Sequence, residues 1–144
     1  MSITNILVPF DGSSYSIKAF NVALDIAKKH GAKINVMTCL EKANLGAWYI
    51  NKSINKKIIK DARKFATGFL LKLEKKANDA GVLFSFQIPE TKSISKQIVT
   101  FANSKKIDLI VIGSHGRTRF SQFLLGSVSN NVSQYAKCPV LIIK

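Results

Sequence analysis

DLIVIGSHGRTRFSQFLLGS, residues 108–127, is the stretch that decides which fold this sequence predicts. Its apolar beginning, residues 109–112, is typical of a fully buried strand. Three glycines and a serine follow at fixed places: Gly113, Gly116, Gly126 and Ser127. Such a strand, glycine-rich turn and helix often bind phosphate, because glycines let the backbone approach a ligand and free N–H groups at a helix start attract anions. The same glycines would also suit a turn that binds nothing, so the rest of the chain has to discriminate.

Strand and helix patterns alternate along the whole chain. Short apolar runs predict five strands, at residues 3–9, 34–40, 82–88, 109–112 and 140–143. Between them, apolar residues recur at three- and four-residue steps and predict four amphipathic helices. Phe65 in the second helix and Tyr135 in the fourth belong to these apolar stripes. Residues 42–53 show no clear periodicity of apolar residues, which indicates a connecting loop. This loop is either a flap over a site or an ordinary surface loop. Strict alternation favours one α/β domain, residues 1–144, with a parallel sheet and helices on both faces.

Composition limits the class of protein. A chain of 144 residues with 47% hydrophobic residues is large and apolar enough for one globular domain. No uncharged apolar run is long enough to span a membrane, and the N-terminus does not resemble a signal peptide, so we expect a cytoplasmic protein. Cys39 and Cys138 lie outside any CxxC or Cys/His pattern and are expected to be reduced thiols without zinc.

The formal net charge of +14 suggests an anionic partner. However, 19 of the 22 basic residues are lysines spread along the chain and over the first three predicted helices, and no basic run is interleaved with aromatic residues. Surfaces that read nucleic-acid bases favour arginine. A lysine-rich solvated surface is therefore the preferred interpretation, and a nucleic-acid partner is not expected. Arg117 and Arg119 are the exception, because both lie within the glycine spacer.

The first and fourth strands end in groups that suit a ligand. Open parallel sheets bind ligands where the strand order reverses, which lies between these two strands if the order is 3-2-1-4-5. The first strand leads to Asp11 and the fourth to Gly113. A carboxylate can accept hydrogen bonds from ribose hydroxyls while a glycine loop and Ser127 bind phosphates, so the pair predicts a nucleotide site. Asp11 alone could instead be a carboxylate that favours a helix start.

The sequence resembles the universal stress protein family over essentially its whole length. The spacing Gly-x2-Gly-x9-Gly-Ser from Gly113 to Ser127 is similar to the family's ATP-binding signature. ILVPFDGS at 6–13 resembles the opening strand and loop, and residues 108–117 with CPVLII at 138–143 resemble the last two strands. The resemblance implies an open five-stranded parallel sheet of order 3-2-1-4-5 and, usually, a dimer. The family contains members that bind ATP and members that do not.

The resemblance also assigns roles to residues. It implies that Asp11 holds the ribose, that the backbone near Cys39 meets the adenine, and that the glycines and Ser127 surround the phosphates. The candidate contacts to ATP, with Mg²⁺, are Pro9, Phe10, Asp11, Cys39, Gly113, His115, Gly116, Arg117, Gly126, Ser127 and Val128. His115 could touch a phosphate, or be a solvent-facing loop histidine. Thr38 and Cys39 stand where the family often has His-Val, which a backbone contact would tolerate.

Catalytic groups are scarce in the sequence. The chain has eight acidic residues, no P-loop and no metal-binding histidine pattern. We therefore expect an ATP-binding stress-response or signalling module with at most slow ATP hydrolysis. The alternative is a regulatory protein that acts through protein or nucleic-acid partners and leaves its nucleotide pocket unused. Gly113→Val is expected to abolish ATP binding with the fold intact. The apolar last strand, residues 140–143, predicts a homodimer, because an uncovered apolar edge invites pairing.

Overall fold

The computed structural model describes residues 2–42, 52–116 and 125–144, with the backbone alone at 52–55. The elements in chain order are β1 (Asn5–Pro9), α1 (Ser14–His30), β2 (Lys33–Met37), β3 (Leu40–Glu41), α2 (Lys52–Asp79), β4 (Phe84–Gln87), β5 (Glu90–Thr91), α3 (Ile94–Ser104), β6 (Leu109–Gly113), α4 (Ser127–Tyr135) and β7 (Val140–Ile143). The loop predicted at 42–53 lies largely outside the described residues.

Five strands form the main sheet in the order β4-β2-β1-β6-β7, and every neighbouring pair is parallel. Apart from the two-residue strands β3 and β5, this is the predicted order 3-2-1-4-5, which is confirmed. Because β1 lies between β2 and β6, the strand order reverses beside the carboxyl end of β1. The loops that follow β1 and β6 are therefore neighbours.

Alternate residues of the central strands contribute to two separate core layers. Ile6 and Val8 of β1 pack in the layer that includes α1 and α2, while Leu7 packs in the layer that includes α3 and α4. All five residues of β6 are buried. Strands covered on both faces need apolar side chains in both directions, which explains the continuous apolar runs in the sequence. Helices on both faces of the sheet are confirmed.

Asp108 holds the beginning of β1 against the beginning of β6. Its Oδ2 accepts hydrogen bonds from the Thr4 amide and hydroxyl, both at 2.8 Å, and from the Asn5 amide at 2.9 Å. These hydrogen bonds lower the pKa of Asp108 below its usual value, and the bond from the Thr4 amide has the largest effect. Desolvation of the carboxylate acts in the opposite direction. The carboxylate thus aligns the two strands whose far ends border the candidate ligand site.

The predicted second strand, 34–40, is divided in the structure. β2 ends at Met37, and Leu40–Glu41 pairs instead with Glu90–Thr91 in a separate small sheet. Arg63 of α2 supports this sheet, since its guanidinium donates to the Ile88 carbonyl at 2.7 Å and pairs with Glu90 at 3.1 Å. Two-residue strands are too short to show a period, so the sequence pattern could not reveal them.

Two aromatic residues of the predicted apolar stripes lie at the surface. Phe65 is 60% exposed and Tyr135 is 68% exposed, although both belong to the apolar stripes of their helices. Three- and four-residue steps describe a wide arc of a helix, and residues at the margin of that arc do not reach the core. Phe65 instead contacts the ring of Phe69 edge to face, with ring centroids 5.0 Å apart.

Candidate functional site

A cavity of about 500 Å³ lies where β1, β2 and β6 end and α3 and α4 begin. Ten of the eleven predicted contact residues line it: Pro9, Phe10, Asp11, Cys39, Gly113, His115, Gly116, Gly126, Ser127 and Val128. The eleventh, Arg117, lies outside the described residues. The fold therefore brings together residues that are more than a hundred positions apart in the sequence.

The loop after β1 presents Asp11 on a constrained backbone. Gly12 adopts a left-handed conformation with φ of 83°, which favours glycine. The chain then turns back, and the Ser13 amide donates to Asp11 Oδ1 at 2.9 Å. Ser13, and not Asp11, is the N-cap of α1, since its Oγ accepts the Ser16 amide at 3.2 Å. Asp11 is therefore not the N-cap of α1, and its carboxylate instead binds the amide of the N-cap residue.

The three motif glycines lie where the chain packs closely, and the space is tightest at Gly113 and Gly116. None of Gly113, Gly116 and Gly126 has a positive φ, so left-handed turns do not explain them. A Cβ at Gly113 would lie 2.7 Å from Tyr15 Cβ, and one at Gly116 would lie 2.7 Å from Asp11 Oδ2. At Gly126 the nearest atoms would be the Ser114 oxygen and His115 Cα, both at 3.4 Å. The glycines thus let α1, Asp11 and the β6 loop approach one another.

The beginning of α4 differs from that of the other helices whose caps are described. Serine side chains cap α1 and α3, whereas the N-cap of α4 is Gly126, which has no side chain to offer. The first amide groups of a helix have no partner within the helix and carry partial positive charge. The first-turn residues Ser127, Val128 and Ser129 line the cavity. This end of the cavity is therefore suited to an anion.

Ser129 fixes the position of α4 against the sheet. Its hydroxyl is buried and donates to the Gly113 carbonyl at 2.6 Å. The Gly126 amide donates to the Ser114 carbonyl at 2.8 Å, which joins the helix start to the β6 loop a second time. The anion-suited end is consequently held rigidly to the carboxyl end of β6.

The opposite end of the cavity is apolar. Sequence reasoning placed Cys39 here, and burial raises the pKa of its thiol to about 11, so it is uncharged at neutral pH. The lining residues that sequence reasoning missed are Ser16, Met37, Ile94, Ile98, Ile112, Leu125 and Ser129. Ile94 and Ile98 start the apolar face of α3. The sequence signal that could have identified them is a predicted helix start opposite a strand end. An apolar end suits an aromatic ring.

His115 is half-buried, so it is not a solvent-facing loop histidine. Its Nδ1 lies 3.0 Å from the Ser114 hydroxyl, and its ring centroid lies 5.3 Å from that of Tyr15. The Nε2 atom of His115 is buried and has no hydrogen-bond partner among the described residues. The imidazole is therefore part of the packed wall formed by the β6 loop and α1.

Metal ligands are not clustered in the described ranges 2–42, 52–116 and 125–144. No group of three or more His, Cys, Asp or Glu residues there could hold a metal ion. Asp11 is the one carboxylate among the described residues that line the cavity. The same parts of the chain contain no helix with the length and apolar character needed to cross a membrane.

Comparison with known proteins gives one consistent result. The model of the universal stress protein family matches residues 2–144. A universal stress protein of Methanocaldococcus jannaschii is 33% identical, with 96% of this chain and 81% of the relative covered. The universal stress protein YxiE of Bacillus subtilis is 31% identical, with 96% of this chain and 97% of the relative covered.

Solved structures agree with the fold. Universal stress protein UspA from Lactobacillus plantarum superposes with a TM-score of 0.90 at 23% identity, covering 100% of this chain and 99% of that one. A universal stress protein in complex with cAMP has a TM-score of 0.70 at 25% identity, covering 99% and 98%. One from Archaeoglobus fulgidus in complex with dAMP has a TM-score of 0.68 at 23% identity, covering 100% of both chains.

Proposed function

Because this chain belongs to the universal stress protein family, we propose that it binds an adenine nucleotide, specifically ATP, in the 500 Å³ cavity. One observation carries the proposal: the Asp11 carboxylate and the uncapped start of α4 border the same cavity. A carboxylate accepts hydrogen bonds from sugar hydroxyls, and a helix start attracts phosphate. A ligand with a sugar between a ring and a phosphate satisfies both.

The apolar end of the cavity determines the orientation of the nucleotide. The base lies among Met37, Ile94 and Ile98, with the backbone at Cys39 beside its edge, and the ribose reaches Asp11. The phosphates extend toward the amides of Ser127 and Val128. Complexes of family members with cAMP and dAMP support an adenine nucleotide in general, while ATP rests on the Gly-x2-Gly-x9-Gly-Ser spacing.

Magnesium would be bound mainly through the nucleotide. Asp11 is the single carboxylate among the described lining residues, and we assign it to the ribose. Mg²⁺ commonly binds through substrate phosphates and retains several water molecules, so it does not require a cluster of carboxylates. The described residues therefore fit a Mg²⁺ ion held by the phosphates of ATP.

Isothermal calorimetry tests the binding site. The wild type is expected to bind ATP, and Asp11→Ala is expected to weaken binding by roughly 1–3 kcal/mol, because buried hydrogen bonds to the ribose are lost. Gly68→Ala is the matched control, since Gly68 is an exposed residue of α2 with no atom within 4 Å of an added Cβ. Equal affinity of the Asp11→Ala protein and the wild type would remove Asp11 from the site.

Turnover of bound ATP is expected to be far slower than the roughly 10 s⁻¹ of an ordinary enzyme. Hydrolysis requires a group that activates water, and the described titratable residues lining the cavity are Asp11, Cys39 and His115. Cys39 is uncharged and Asp11 faces the ribose. Release of phosphate from ATP measures the rate, and His115→Ala shows whether the histidine contributes. An ordinary enzymatic rate would contradict the assignment as a binding module.

We infer a binding and signalling role for the nucleotide. A protein that holds ATP without rapid turnover can present a bound and an empty state to other molecules. Nucleotide that remains bound through purification would support this role. Failure to bind any adenine nucleotide would favour the alternative, a regulatory protein that acts through its partners and leaves the pocket unused.

We also propose that the protein forms a homodimer through β7. This strand is at the edge of the main sheet, and Leu141 is 38% exposed. An exposed apolar edge is stabilised when it pairs with its own copy around a two-fold axis.

A further inference from the structure

The Asp11 side chain and the Gly116 backbone touch in the wall of the cavity. A Cβ at Gly116 would lie 2.7 Å from Asp11 Oδ2, closer than such atoms approach one another in proteins. Asp11 Oδ1 accepts the Ser13 amide at 2.9 Å. One carboxylate oxygen is thus held by the β1 loop, and the other occupies the space where a side chain at position 116 would begin.

The backbone that leads into Asp11 is held by β2 and the residue that follows it. The Phe10 amide donates to the Met37 carbonyl at 2.9 Å, and the Thr38 hydroxyl donates to the Phe10 carbonyl at 2.8 Å. A side chain at position 116 would therefore displace the carboxylate of Asp11 and leave the strand in place. Gly116 lacks a positive φ, so alanine is compatible with its backbone conformation.

We propose that Gly116 is a positioning residue for Asp11, and that the missing side chain at 116 sets the carboxylate orientation that recognises the nucleotide sugar. The inference rests on the proposed nucleotide site, and it assigns the second glycine of the motif to sugar selection. Gly126 provides the contrast, because the three atoms nearest to a Cβ there belong to Ser114, His115 and Gly116, not to Asp11.

Calorimetry with AMP and 2′,3′-dideoxy-AMP tests sugar selection. The wild type is expected to prefer AMP by about tenfold or more, the effect of hydrogen bonds to a charged group. In the Gly116→Ala protein the ratio of the affinities for the two nucleotides should fall close to one, as in the Asp11→Ala protein. The double variant should show no further loss of this preference. Gly68→Ala should keep the wild-type preference. A Gly116→Ala protein that binds both nucleotides more weakly but keeps the preference would overturn the proposal.

The Ser13 amide reports on the carboxylate without any ligand. In ¹H–¹⁵N spectra, Asp11→Ala removes the acceptor of this amide, and Gly116→Ala is expected to shift the same resonance in the same direction. An unchanged Ser13 resonance in Gly116→Ala would show that Gly116 does not position Asp11. A wild type that binds neither nucleotide would overturn the proposed function and the sugar-selecting role, while the amide would still decide whether Gly116 orients the carboxylate.

Discussion

Replacing Gly113 with valine is expected to destabilise the folded protein by about 3 kcal/mol or more, whether or not a ligand is present. A Cβ at 113 would lie 2.7 Å from Tyr15 Cβ and 2.9 Å from the Tyr15 carbonyl carbon. These atoms belong to the backbone and first side-chain carbon of α1, so rotation of the Tyr15 ring cannot relieve the overlap. β6 and α1 would have to separate, which would loosen the core between them.

Denaturant unfolding measures the effect of this substitution. Gly113→Ala should already be less stable than the wild type, and Tyr15→Ala should not restore stability, because alanine keeps the Cβ and carbonyl that overlap. Gly68→Ala, in an open helical position, should gain roughly 0.5–1 kcal/mol. A Gly113→Val protein as stable as the wild type would show that the packing explanation is wrong. The geometry thus replaces the expectation that Gly113→Val leaves the fold intact.

Changing Ile142 to proline is expected to convert the proposed dimer to a monomer. The Ile110 amide of β6 donates to the Pro139 carbonyl, and the amide of Ser114, directly after β6, donates to the Ile143 carbonyl. Since alternate residues of a strand direct their backbone groups to opposite sides, the amide of Ile142 faces the free edge. Proline removes that donor without removing a hydrogen bond to β6, so pairing with a second copy should fail while the sheet remains.

Light scattering at micromolar concentration, with thermal unfolding of the same samples, distinguishes the possibilities. Ile142→Ala is the matched control, because it removes the partly buried side chain and keeps the outward amide. We expect a dimer for the wild type and Ile142→Ala, and a folded monomer for Ile142→Pro. A monomeric wild type would end the proposal, as would a folded Ile142→Pro protein that stays fully dimeric.

Parts of the candidate site could be predicted because their signals are local. The apolar run before Gly113 identified a buried strand, and the carboxyl end of a parallel strand is where ligands bind. The same reasoning placed Asp11 at the neighbouring loop. Ser129 was missed because its buried hydroxyl acts on the Gly113 carbonyl, 16 residues away in sequence, and a serine inside a helix carries no signal of such a bond.

The sequence by itself determined the α/β class, the family and ten of the residues that line the cavity, because strand and helix periods and a spaced glycine motif are properties of neighbouring residues. Only the tertiary structure decided what each glycine is for. Gly113 accommodates Tyr15 and Gly116 accommodates Asp11, each across more than ninety residues of sequence. It likewise decided that β3 and β5 pair with each other. Such contacts depend on distances between elements, which exist only once the sheet and its helices have packed.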